Sequence, residues 1–149
     1  MPSTPLPQVM IGRWVSRASA TTLAVGGIAL LFASDVVLPR LAPALPPGAA
    51  WIGQLVAAGW LAVAAVNWTG QSTLIGGIYG RPLVTANFAL YFVTATSVLR
   101  PALDARSPRS IWLVAVPSVA FAAMYGWLLL RGPFERDFEE QAGKSRSSG

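Results

Sequence analysis

The chain has 149 residues, 54% of them hydrophobic and only 11% charged. Soluble domains carry about 25% charged residues, and a soluble fold this poor in charge could not cover its own surface. Cysteine and histidine are both absent, which excludes disulfides, thiol nucleophiles, classical triads and the usual zinc and haem ligand sets.

The net charge is +5. The basic residues sit between apolar runs and form no stripe with interleaved aromatics. They point to membrane orientation and lipid headgroups, not to nucleic acid. No metal site and no cofactor is expected.

Met1 to Met10 holds Pro2, Pro5 and Pro7 without a charge and reads as an extended arm. Arg13, Trp14 and Arg17 follow as an interfacial anchor, completing a first segment of residues 1–17. Ala18 to Leu38 is apolar and long enough to cross ~30 Å of hydrocarbon at ~1.5 Å per residue. A signal peptide would share its basic start, but the run is long and no small-x-small cleavage site follows it. It is expected to be the first membrane helix.

Pro39, Pro43, Pro46 and Pro47 predict a stiff, non-helical connection. The second run, Trp51 to Trp68, has tryptophan at each end, as a segment between two interfaces would. Three glycines among Gly76-Gly77-Ile78-Tyr79-Gly80 permit turns, and Pro82 suits the first turn of a third helix, Pro82 to Leu99. Arg100-Pro101 is expected to end it. The fourth run is Ile111 to Leu130, with Pro117 predicting a bend or local break. Residues 131–149 form a polar tail of mixed sign.

The expected fold is therefore all-α, a polytopic bundle of about four transmembrane helices over residues 18–130. A membrane barrel would show short alternating segments, which these Ala- and Leu-rich runs are not. Seven Lys and Arg lie on the side of the two termini against four on the other, so both termini are expected to be cytoplasmic.

Few side chains could carry function. Ser118, Ala122 and Gly126 recur every four residues in the fourth run, as do Gly53 with Ala57 and Ala58 with Ala62 in the second. Small residues let helices approach closely in lipid, either within the chain or against another subunit. Asp35 is the only acid inside an apolar run and so a candidate for proton or substrate handling. It also lies about one turn from Pro39, where Arg40 or the headgroup region could accommodate it.

Asn67 ends the second run. Asn87, Tyr91 and Thr94 share a face of the third by their i, i+4, i+7 spacing. They either bond across helices or line a small pocket with Asn67 near the glycine turn. Arg81 could hold a lipid phosphate or simply snorkel to the headgroups. The glycines before it lack the phosphate-loop pattern.

Taken together, Asn67-Trp68, Gly76-Gly77-Ile78-Tyr79-Gly80-Arg81-Pro82 and Asn87-Phe88 resemble a group of small bacterial four-helix membrane proteins of unassigned activity, loosely similar to DoxX-like proteins. The resemblance covers about a third of the chain and contains no catalytic motif. It implies the helix count and a bacterial cytoplasmic (inner) membrane location, and no activity.

The motifs that stand out serve packing. The leading expectation is a non-catalytic protein, an accessory or structural subunit of a larger membrane complex, touching lipids and other membrane subunits. Arm, tail or the Ser118, Ala122, Gly126 face would make the contact. A second expectation is a carrier or binding protein for a lipid or hydrophobic molecule. A third is a membrane enzyme using Asp35, Asn67, Asn87 and Tyr91. A pocket with converging polar groups would favour the second or third, and a solid bundle with a flat small-residue outer face the first.

Overall fold

The computed structural model describes residues 7–46, 48–70 and 80–131. The arm before residue 7, the glycine-rich segment 71–79 and the tail from residue 132 lie outside the described residues.

Helix α1 is Pro7–Phe32 and α2 is Ser34–Leu41. Next come α3, Ala50–Thr69, and α4, Gly80–Ala102. A 3-10 turn, Arg109–Ile111, then leads into α5, Trp112–Arg131. Among the described residues four stretches are long and apolar enough to cross a membrane: Met10–Phe32, Ala50–Thr69, Gly80–Ala102 and Arg109–Leu130. Only 22–39% of the apolar window of each is buried inside the chain, so most of each helix faces outward. Val25, Phe32, Leu55, Val93 and Leu113 are among the exposed apolar side chains. In water such a surface would aggregate. In a bilayer it meets a matching solvent, and this is a small integral membrane protein.

The first helix departs from expectation at both ends. Residues 7–10 are helical, not extended. Pro7 opens α1, where its missing N–H is no loss and its fixed φ already suits a helix. The expected run to Leu38 breaks at Ala33, which sits at φ −135°, ψ 33°. The break turns α2 back across α3, so that Ser34 and Leu38 reach Gly53. A Cβ on that glycine would stand 2.9 Å from Ser34 Cβ. Pro39 belongs to α2 rather than to the connection. It forfeits one helix bond, and the helix still closes with the Ala42 N–H on the Leu38 carbonyl at 2.8 Å.

The later boundaries lie within a few residues of expectation. Pro101 falls in the last turn of α4 and does not end it at Leu99. Pro117 lies inside an uninterrupted α5, so the expected local break is not seen.

The helices pack as two pairs, α1 with α3 and α4 with α5, and α2 bridges toward the 3-10 turn. Gly26 and Gly27 make the first pairing close. A Cβ on Gly26 would meet the Trp60 ring at 2.7 Å, and one on Gly27 would meet Leu61 Cγ at 2.9 Å. Gly126 does the same for the second pair against Phe88, at 3.1 Å. Residue numbers run oppositely across each pair, Ser16 against Asn67 and Gly27 against Leu61 in the first, Tyr91 against Phe121 and Phe88 against Gly126 in the second, and the end of α3 meets the start of α4 at Asn67 and Asn87, so successive spans are antiparallel. Leu23, Ala64, Val84, Tyr91, Phe121 and Tyr125 form a core that joins the pairs near one end. At the other end, the Ser110 hydroxyl donates to the Arg40 carbonyl.

Candidate functional site

Four helices contribute to one buried polar cluster. Ser16 and Ser19 share a face of α1 by i, i+3 spacing, and Asn67 comes from the last turn of α3. Asn87 and Tyr91 share a face of α4, and Tyr125 comes from α5. All six side chains are at most 4% exposed. They face inward because hydrocarbon offers an amide or hydroxyl no partner.

The two amides bond reciprocally. Asn67 Nδ2 donates to Asn87 Oδ1 and Asn87 Nδ2 donates to Asn67 Oδ1, each at 2.7 Å. Their remaining amide hydrogens go to Ser19 Oγ at 3.0 Å and to the Leu83 carbonyl at 2.9 Å. Ser19 Oγ also shares a 2.8 Å hydrogen bond with the Tyr91 hydroxyl. The Ser16 hydroxyl donates to the Asn67 carbonyl at 2.8 Å. Tyr91 stacks on Phe121, with ring centroids 4.8 Å apart, and on Tyr125 at 5.9 Å. The Tyr125 hydroxyl is different. It neighbours Ser19 and Ser16, yet among the described residues it is buried without a hydrogen-bond partner.

Asn87 and Tyr91 face inward and bond across helices, one of the two uses expected of them. Asn67 and Asn87 bond each other and Tyr91 bonds Ser19; the pocket expected beside the glycine turn falls on segment 71–79, outside the described residues. Thr94, half-buried, bonds back to its own helix at the Leu90 carbonyl, 2.7 Å. Asp35 is not part of the constellation. It is exposed in the first turn of α2, beyond the far end of α1. The thirteen residues from Ser19 to Phe32 span roughly 20 Å of helix. Among the described residues it makes no ion pair with Arg40, and it lines a separate hollow with Ser34, Leu38 and Pro39. The four groups named for the enzyme reading therefore do not converge. Arg81 stands exposed in the first turn of α4.

The small-residue face of α5 is turned into the chain. Ser118 and Ala122 are 4% and 8% exposed, and Gly126 packs on Phe88. That face is covered by the chain's own helices and is not available to another subunit.

A cleft of about 340 Å³ lies beside the cluster, in the seam between the helix pairs. Leu30 and Gly26 of α1, Trp60 of α3, Leu90 and Thr94 of α4 and Ser118 of α5 form its walls. The Tyr91 side chain belongs to both features. Sequence reasoning missed Ser16, Ser19 and Tyr125. Ser16 lay in the supposed anchor and Ser19 at the start of the first apolar run, and a lone tyrosine in an apolar helix carries no spacing signal. The cleft had no signal at all, since it arises from how two pairs meet.

No protein-family profile, curated protein or solved structure matches the chain. Among the described residues no three His, Cys, Asp or Glu gather as a metal site. The cluster itself offers amides and hydroxyls, groups that position and bond but supply no base near neutral pH.

Proposed function

We propose that this membrane protein binds a small hydrophobic molecule in the seam between its two helix pairs, and that it does so without catalysis. The observation that carries the reading is the 340 Å³ cleft. Protein interiors are close-packed. Left unfilled, a hollow of 340 Å³ would forfeit the contacts its apolar walls could make. A filled cleft avoids that cost. The walls are apolar with a few hydroxyls, as binding sites for small molecules are. The fused polar cluster beside it is a rigid floor.

The test is extraction. The wild-type chain, purified in mild detergent, should release an apolar molecule in near-stoichiometric amount on organic extraction. Ala29→Trp, which places an indole in the cleft, should release little. Equal amounts of every extracted species from both proteins would remove the reading.

Association with another subunit is a second reading, and one observation favours it. On α3, Ala58, Gly59 and Ala62 face outward, and nothing stands within 4 Å of a Cβ built on Gly59. Such a surface allows close helix approach in lipid. Ala62→Phe should loosen co-purification of any partner while leaving membrane insertion unchanged. An unaltered set of co-purifying proteins would count against it.

A further inference from the structure

We propose that the cleft selects a neutral, single-chain molecule dissolved in the bilayer, carrying one hydroxyl or carbonyl that meets Ser118. This rests on the binding reading above and names its ligand class.

Charge comes first. Every described residue lining the cleft is uncharged. The nearest acid in the sequence, Asp35, belongs to the other hollow. A carboxylate, phosphate or ammonium in the cleft would lose its hydration and gain no counter-charge, which apolar surroundings penalise heavily. Size comes second. The volume of 340 Å³ corresponds to roughly eleven water-sized units of ~30 Å³. That is room for one chain, not for both chains of a phospholipid.

Hydrogen bonding comes third. Among the described residues four hydroxyls line the cleft, and three are committed. Thr22 donates to the Ala18 carbonyl, Thr94 donates to the Leu90 carbonyl, and Tyr91 is paired with Ser19. Ser118 is 4% exposed, lines the cleft and among the described residues has no hydrogen-bond partner. Next to it, Pro117 lacks the N–H that would bond the Leu113 carbonyl, and both residues lie on the same wall. The Ser118 hydroxyl can both donate and accept, a match for a hydroxyl in particular.

Access comes fourth. Thr22, Val25 and Ala29 line the cleft and are exposed on the outer face of α1, within a candidate membrane span. The polar cluster closes one end, and Val37 and Leu41 of α2 stand at the other. The open side faces acyl chains, so the ligand arrives through the bilayer.

The experiment uses the full chain in lipid nanodiscs with three diazirine probes of equal chain length: an alcohol, an alkane and a carboxylate. The alcohol should label residues of the cleft wall about fivefold more than the alkane, the worth of one hydrogen bond, and the carboxylate should label least. Ser118→Ala should bring alcohol labelling down to the alkane level and leave alkane labelling unchanged. Equal labelling by alcohol and alkane in the wild type, or an alcohol preference that survives Ser118→Ala, overturns the role of Ser118 and leaves the binding reading in place. Carboxylate labelling at or above that of the alcohol overturns neutrality. No cleft labelling by any probe, with Ala29→Trp indistinguishable from wild type, overturns both.

Discussion

At the residue scale, the paired amides are the point where the fold commits polar groups to hydrocarbon. Each amide uses both its hydrogens, so removing one side leaves the other stranded. Asn67→Leu or Asn87→Leu alone should lower stability by about 1–3 kcal/mol, the cost of an unsatisfied buried group. The double substitution should cost less than the sum, because no amide is then left without a partner. Thermal unfolding in detergent measures both, and strictly additive losses would mean the amides do not act as a pair. Among the described residues the Tyr125 hydroxyl is buried without a partner, so Tyr125→Phe should be neutral or stabilising. A loss above ~1 kcal/mol would show that this hydroxyl is bonded in the membrane. Asn67, Asn87 and Tyr91 were legible because polar residues in apolar runs stand out and their spacing set a common face. Ser16 and Ser19 were not, since serine beside two arginines looks like any interfacial sequence. Asp35 misled for the converse reason: an acid in an apolar run looks internal until the helix breaks before it.

At the scale of elements, close approach is written in glycine. Gly27→Leu should push α1 and α3 apart, since even a Cβ there would stand 2.9 Å from Leu61 Cγ and 3.4 Å from the Ala57 carbonyl. Gly59→Ala is the control. Its Cβ meets nothing within 4 Å, and alanine is the better helix former by ~1 kcal/mol. The first variant should lower the melting temperature and the second leave it equal or higher, with reversed signs dismissing the crossing as the tight contact. Helix number and type were readable because continuous apolar runs of this length have few alternatives. Boundaries were read less well wherever proline stood nearby. Pro7, Pro39 and Pro101 each lie within a helix, tolerated because each sits near an end, where few ladder bonds are at stake. The break at Ala33 follows from the tertiary fit of Ser34 and Leu38 on Gly53, which no local pattern announces.

At the scale of the molecule, four antiparallel spans put the two ends of the described chain on one membrane face. Orientation can be measured directly, since the chain contains no cysteine and single cysteines can be introduced on a silent background. If the basic residues set orientation, Ser147→Cys should react with an impermeant maleimide only from the cytoplasm, and Ala105→Cys only from outside. The reverse pattern would invert the protein. The seam itself was beyond sequence reasoning, because each helix reads alone and the gap belongs to none of them.

The seam is closed at both ends, by the amide cluster and by α2 with its Ser110 to Arg40 bond. Two bars fastened at both ends cannot swing open like jaws. They can only bow in the middle. Pro117 stands in that middle stretch of α5, where the helix ladder lacks a rung. α5 is then the compliant bar, and its stiffness sets how wide a guest the slot admits. Pro117→Ala should restore the rung and raise stability by up to ~3 kcal/mol, while slowing exchange of the alcohol probe and narrowing the range of chains accepted. A stabilised variant that exchanges probes as fast and as broadly as wild type would place the give elsewhere in the frame.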